Sequence, residues 1–463
     1  MEERKKFYVT TAIDYVNAEP HIGHAYQKII ADVIARWHKL KGEKVFFLTG
    51  TDEHGQKIAQ SAKEAGMSPV DFVNKISKKF LDSWDKLNIK YDRFIRTTDK
   101  DHENFVQEFI KEIKNDIYKG FYEGLYCVGC ERFYTEKDLN NGQCIFHPGK
   151  ELKRVREETY YFKLSKYKKD LLKIYKENPN FILPPERRNE IINRVKEGLQ
   201  DLSITRTNFS WGIPFPLDKK HVVYVWFDAL LNYLSGAGKN QEFWPANVHL
   251  LGKDNGWFHA VIWPAMLLSA KKELPKTVFI HGFLTFNGQK ISKSLGNVVS
   301  PDYLVEKYGA DSIRYYILRN FVFGEDGDFS EKILIERHNN ELADKLGNLV
   351  NRVAVLVEKY GTEKTENKLI KNLDFKKIDR LFENYQFDKV LNEIFSFIDR
   401  CNEYVQNKRL WETKDKKALF ELVECIKEIA KLLSPFIPES SEKIIKQFKL
   451  KEIKKSKILF KKF

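Results

Sequence analysis

Along the first half of the chain, short apolar runs alternate with amphipathic stretches. Residues 7–13 and 45–49 are apolar runs of strand length and read as buried strands. Between them, residues 25–41 place Ile29, Ile30, Val33, Ile34 and Trp37 on one helical face. A strand, a helix and a second strand in that order predict a parallel sheet. The rhythm returns with a strand at 248–252, a helix over 258–270 and a strand at 277–281. From 117 to 200 it is lost. That stretch holds Cys127, Cys130 and Cys144, the turn sequence Asn140-Asn141-Gly142 and the run Leu183-Pro184-Pro185. It reads as an insertion into the α/β domain. Beyond 331 the strand signals fade. Residues 331–360, 378–406, 416–433 and 439–448 are helical by pattern, and Pro435 and Pro438 break the last pair.

The predicted fold is therefore α/β. A parallel-sheet domain over 1–116 and 201–285 is split by the insertion at 117–200. A connecting region over 286–330 leads to a helical bundle over 331–463 that ends in a Lys-rich tail. At roughly 150 residues per domain, 463 residues suit about three units.

Composition narrows the class. A hydrophobic fraction of 42% is enough for real cores and excludes disorder throughout. No uninterrupted apolar run is long enough for a membrane span. With so few residues before the first strand, no signal or transit peptide is expected. Five cysteines, an odd and low count, argue against a disulfide framework and for a reduced, cytoplasmic protein. The 79 Lys and Arg exceed the 65 Asp and Glu by 14. Such a surplus suits a polyanionic partner, and it also suits plain solubility.

Two motifs carry phosphate chemistry. His21-Ile22-Gly23-His24 follows the first strand and opens the first helix. Helix N-terminal amides favour an anion, Gly23 permits close approach, and the two imidazoles can donate to phosphate oxygens. Helix-capping histidines are the plain alternative. Lys290-Ile291-Ser292-Lys293-Ser294 follows a strand and a Gly-containing loop. Its lysines and hydroxyls suit the charge that develops on a transferring polyphosphate. A solvated basic turn is the alternative.

Together, HIGH and a KMSKS-like loop on a split α/β domain with a helical domain behind it resemble the class I aminoacyl-tRNA synthetases. Ile291 stands where that family usually has Met. Three further stretches are similar to the methionyl-tRNA synthetases within that class. They are Thr10 to Tyr15, Phe47 to Gly55, and Tyr224 to Leu230 with Tyr233 one turn later. The resemblance implies a Rossmann-like catalytic domain and a methionine-tRNA ligase. Such an enzyme uses Mg²⁺ with ATP, activates L-methionine to its adenylate, and charges the terminal adenosine of tRNA(Met).

An apolar, polarizable substrate side chain suits aromatic walls. Trp226, Tyr15 and Tyr233 are candidates for them, with Ala12, Ile13 and Ala229 filling in. Asp52 is the natural partner for the substrate ammonium. The resemblance adds His259 to the methionine site and Gly252 and Asp254 to the ATP ribose, with Lys253 nearby. It implies that Lys290, Ser292 and Lys293 join His21, Gly23 and His24 on ATP, and that Arg206 assists His21, His24, Lys290 and Lys293 in catalysis. Asn255 departs from many bacterial relatives, which place an apolar residue there.

The spacing Cys127-x2-Cys130, then Cys144-x2-His147, suits one tetrahedral, structural Zn²⁺. A redox CxxC pair and free buried thiols are the alternatives. Cys401 and Cys425 read as small buried apolar residues. In the helical half, Asn348 and Arg352 are four apart and share a face. The resemblance implies that they read the anticodon, with Trp411 stacked on a base. Leu410 replaces a proline common in the family. An intrahelical polar pair and a packed Trp are the alternatives. The tail from Lys443 to Phe463 is expected to touch tRNA phosphates, to pack back, or to be solvated surface. The chain stops before the C-terminal dimerisation domain of some relatives, so a monomer is expected. Rival readings are a leucyl or valyl enzyme, a small nucleotidyltransferase, and a non-catalytic tRNA-binding descendant. The first carries a large editing insertion, and the second lacks a zinc insertion and a helical third.

Overall fold

The computed structural model describes residues 4–129, 132–134, 139–286, 288–290, 298–449 and 452–463. The chain divides into two units. One holds Met1–Pro20, His38–Asp82 and Lys90–His281, and the other holds His21–Trp37, Ser83–Ile89 and Gly282–Phe463.

The first unit is built on a parallel sheet. Strand Lys6–Thr11 lies at its centre, paired with Lys44–Asp52 on one side and Val248–Gly252 on the other. Beyond these lie Arg93–Arg96 on one flank and Val278–His281 on the other. From the chain-first strand the strand order proceeds outward to both sides of the sheet, all strands parallel. The carboxyl end of that strand, with that of Val248–Gly252, is thus the switch point where ligands bind in open α/β sheets. The first strand was expected to run to Ile13. It stops at Thr11, and Asp14–Tyr15 then resumes pairing against Thr51–Asp52. The Ala12 amide still donates to the Leu250 carbonyl at 2.9 Å.

Within the expected insertion, Arg132–Tyr134, Ile117–Cys127 and Lys153–Phe162 form an antiparallel sheet, which Leu202–Ser203 joins from just beyond its bound. Within the 117–200 stretch, Ile182–Leu183 leaves that sheet and pairs with Val278 and Phe279 at the edge of the parallel one.

In the second unit, Leu284–Phe286 pairs with Gln289–Lys290 and Gly327–Phe329. Helices follow. Glu331–Arg337 runs through a π-helical stretch, His338–Gly347, into Asn348–Tyr360. The helix expected over 378–406 is two, Phe375–Glu383 and Phe387–Asn407. Tyr385 breaks it with a left-handed φ of 59°, which a continuing helix does not tolerate. Helix Lys416–Leu433 has its predicted bounds, with the Asp415 carboxylate accepting from the Lys417 and Ala418 amides. Val390, Leu391, Ile394, Ile398, Cys401 and Val405 are buried at helical spacing along the longest helix. Cys401 and Cys425 are fully buried, as expected of small apolar side chains. The tail turns back on its own unit. His338 donates from Nε2 to the Lys461 carbonyl at 3.0 Å, and Phe460 is buried beside the same ring. A fully buried ion pair, Arg314 to Asp32 at 2.6 Å, ties helix Ile22–Leu40 to the Pro435 and Phe436 carbonyls that Arg314 also holds.

Candidate active site

At the switch point the sheet sets side chains by register. Tyr15 lies opposite Asp52 in the ladder, and the Val16 amide donates to the Asp52 carbonyl at 3.2 Å. Asp52 is buried, and the ammonium of Lys57 lies over the Tyr15 ring at 5.8 Å. Ala12 is part of the core, and Ile13, Tyr15 and Trp226 pack against it half-buried. The Trp226 ring stacks on Phe258 with centroids 4.0 Å apart. Phe258 opens a π-helical turn, Phe258–Ile262, whose next residue is His259. Such turns reorient side chains at functional sites.

His259 joins two elements. Its Nδ1 is 3.0 Å from the Asn255 carbonyl, which can only accept, so Nδ1 carries the proton. Nε2 must then accept, and the Tyr233 hydroxyl donates to it at 2.6 Å. Burial pushes the His259 pKa down to about 4, although the Asn255 carbonyl pulls it upward. His259 is thus neutral near pH 7. A second buried imidazole repeats the logic. Trp263 Nε1 donates to His249 Nε2 at 3.2 Å, so His249 Nδ1 donates to Thr10 Oγ1 at 2.6 Å. Burial holds His249 well below the ordinary histidine range. Its ring lies 4.3 Å from that of Tyr233. Sequence reasoning missed His249 and Phe258, which have no motif of their own. A histidine at an inward position of a central strand was the only local signal. Ala229 is buried and its carbonyl accepts from Asn232 Nδ2 at 2.6 Å. Gly252 ends its strand buried, and Asp254 is exposed in the short turn Lys253–Asn255 that follows.

In the second unit, the His21 and His24 rings lie 3.8 Å apart. The His21 amide donates to His24 Nδ1 at 3.2 Å, and the Gly23 amide donates to His21 Nδ1 at 3.1 Å. Each ring accepts at Nδ1 and so carries its proton on Nε2. Burial, then the neighbouring His21 and Lys28 charges, hold His24 well below the ordinary histidine range. Both rings thus present an Nε2–H donor, and His24 is held neutral. A Cβ on Gly23 would lie 2.9 Å from His21 Cε1, so a side chain there would disturb that ring. Lys290 is placed by its backbone, opposite Thr285. Ser292 and Lys293 lie outside the described residues.

Arg206 is fully buried. One guanidinium nitrogen donates to Ser203 Oγ at 2.9 Å and to the Thr205 carbonyl at 2.7 Å, and its face covers the Tyr224 ring.

Cys127, Cys144 and His147 bring their ligand atoms within 4.8 Å of one another. Both cysteines are buried, and Cys144 Sγ lies 4.0 Å from His147 Nδ1. Two thiols and an imidazole at this spacing fit a tetrahedral zinc site. Cys130, the expected fourth ligand, lies outside the described residues. A Cβ on Gly129 would lie 2.7 Å from the His147 ring, so only glycine lets that ring in. A second group, Glu158, Asp218 and His221, is also close enough for a metal. Lys119 already sits there, 2.8 Å from Glu158 and 3.6 Å from Asp218, and balances the charge.

On helix Asn348–Tyr360, Asn348 is exposed and Arg352 half-buried. Tyr360, at the end of that helix, donates to the Trp411 carbonyl at 3.3 Å. Trp411 is 42% exposed, too open for a core residue.

Residues 7–146 and 136–354 match the family described as tRNA synthetases class I (M). Residues 371–463 match the anticodon-binding domain of tRNA ligase. The chain is 44% identical to a methionine–tRNA ligase of Thermotoga maritima, over 96% of this chain and 76% of that one. It is 45% identical to the ligase of that name from Caldanaerobacter subterraneus, over 97% of this chain and 75% of that one. Among solved structures it is similar to Mycobacterium tuberculosis methionyl-tRNA synthetase in complex with methionyl-adenylate. There the TM-score is 0.91 and the identity 40%, covering 96% of this chain and 94% of that one.

Proposed function

The chain belongs to the class I tRNA synthetases of the methionyl kind, and on that premise we propose how its residues divide the work. It is a methionine-tRNA ligase. It activates methionine with ATP and transfers the methionyl group to tRNA(Met).

In our reading, Asp52 receives the substrate ammonium, a charge-assisted contact at a buried strand end. Trp226, Tyr15 and Tyr233 wall the thioether, with Ala12, Ile13 and Ala229 filling the floor and neutral His259 behind Tyr233. A neutral imidazole matters here, because an imidazolium beside an apolar side chain would cost desolvation energy. The methionine carboxylate attacks the ATP α-phosphorus in line and pyrophosphate leaves. His21 and His24 donate from Nε2 to phosphate oxygens as charge develops, beside Gly23. Gly252 and Asp254 hold the ribose, and Lys290, Ser292 and Lys293 hold the departing phosphates. ATP is taken with Mg²⁺. Arg206 assists His21, His24, Lys290 and Lys293 in this reading, with one guanidinium nitrogen held by Ser203 and Thr205 and its face on the Tyr224 ring. The adenylate carbonyl is then attacked by the 2′-hydroxyl of the tRNA terminal adenosine, as in class I relatives. Asn348, Arg352 and Trp411 read the anticodon.

Cys127, Cys130, Cys144 and His147 hold one zinc ion, which supplies a fixed cross-link for the hairpin. The catalytic domain spans 1–116 and 201–285, with the insertion at 117–200, the phosphate loop region at 286–330 and the anticodon domain at 331–463. No helix among the described residues is long and apolar enough to cross a membrane. A cytoplasmic place and a monomeric state complete the reading, the latter checked by sedimentation.

The observation that supports this reading best is the neutral Tyr233–His259 pair beside the Trp226–Phe258 stack. ATP–pyrophosphate exchange tests it. Exchange should depend on methionine and be negligible with leucine, valine or cysteine. Equal exchange with leucine would overturn the pocket assignment.

A further inference from the structure

One buried carboxylate beside the pocket has no part in that reading. Asp228 lies between Trp226 and Ala229 on the helical turn Val225–Ala229 and is fully buried. Its two oxygens accept from His54 Nδ1 and His102 Nε2, each at 2.7 Å. Burial pushes the carboxyl up, yet the two imidazole bonds outweigh it and hold Asp228 below the usual range.

Both imidazoles lead back to the pocket. His102 Nδ1 is 2.7 Å from Ser235 Oγ, on the short helix Asn232–Ser235 that carries Tyr233. His54 is two residues beyond Asp52. The intervening Glu53 is pinned by Arg96, whose Nε and terminal nitrogen donate to its oxygens at 2.7 and 2.8 Å. Thr51 and Thr98 hydroxyls add bonds of 2.6 Å each. Asp52 is thus followed by two side chains that cannot swing. Turning Asp228 away would strand two buried N–H groups, so the bridge is rigid.

We propose that Asp228 is a positioning residue for amino-acid selection: through His54 and His102 it fixes the Asp52 end of the strand against the Trp226 and Tyr233 wall. An α-amino acid then meets its ammonium site and its side-chain wall at one set spacing. The proposal rests on the pocket reading above.

Steady-state exchange of the full chain tests it. Asp228→Asn keeps the shape but turns an amide N–H2 towards an imidazole N–H. The methionine KM should rise about tenfold while the ATP KM stays within about twofold. His102→Gln, whose amide can still donate to Asp228, should keep the wild-type methionine KM. His102→Leu should repeat the Asp228→Asn effect, and this pair carries the test if Asp228→Asn does not fold. Methionine and ATP KM values that rise together, or Gln and Leu variants that behave alike, would overturn the positioning role alone. Asp52→Asn is the control for the pocket. If it leaves the methionine KM unchanged, the pocket reading falls and the proposal with it.

Discussion

At Tyr233 one hydroxyl decides the state of a neighbouring ring. It donates to His259 Nε2, whose Nδ1 proton is committed to the Asn255 carbonyl. Tyr233→Phe leaves a buried acceptor without its donor and should cost about 1–3 kcal/mol, read as a shift in denaturant midpoint. The same ring makes stability depend on pH. The folded pKa of His259 is about 4, against 6.5 for the ordinary group. His24 and His249 are lowered too. A lowered folded pKa means that the unfolded chain binds protons more readily. Stability from these groups is complete above pH 6.5 and drains away as pH falls towards 4. For His259 alone the loss is on the order of 3 kcal/mol. The melting temperature should therefore begin to fall near pH 6.5, above the range where carboxylates titrate. A flat profile from pH 7 to 5 would show that these rings accept protons in the fold. None of this is legible in the order of residues. His24 belongs to a motif, but the tautomer of each ring depends on its hydrogen-bond partners, a backbone carbonyl or amide for His259 and His24 and the Trp263 indole for His249, set by the fold.

Among the elements, the hairpin that follows strand Ile117–Cys127 draws three side chains of one sequence pattern together for a local reason. Cys127, Cys144 and His147 come together as their spacing predicts, because two short knuckles on a turn leave few other arrangements. Purified protein should hold about one zinc per chain, and Cys144→Ser should lower that to near zero by elemental analysis. Gly129→Ala should do the same through the His147 ring, since the added carbon would lie 2.7 Å from it. Full zinc content in both variants would place the metal elsewhere. Element boundaries were less legible. Apolar spacing runs evenly through 378–406, yet the chain breaks at Tyr385. Helical periodicity survives such a break, because the residues on either side still face the same core. Ile182–Leu183 was likewise hidden. Two residues are too few to show a period, and their partners lie nearly a hundred residues on.

Over the whole molecule, activation and tRNA reading fall on separate stretches of chain, and variants should separate them. Trp411 is 42% exposed, so Trp411→Ala should leave folding and methionine-dependent exchange intact. Charging of tRNA(Met) should fall by about 1–3 kcal/mol, roughly 5- to 150-fold, if the ring stacks on a base. Equal charging would assign Trp411 to structure alone. The plan of the molecule was readable from the chain because each part of it has a local signature. Strand-length runs, helical periods, HIGH, the paired knuckles and the Lys-rich tail all lie within a few residues of themselves. The parallel sheet followed from the alternation of strand and helix. What folding alone decided is everything that joins distant residues. The Asp228 bridge spans 174 residues to His54 and 126 to His102, and His249 meets Thr10 across 239 residues. Periodicity and spacing report which faces must be buried. They do not report which buried donor meets which acceptor, because that choice is made by packing across the sheet, where positions far apart in the chain compete for the same few hydrogen bonds.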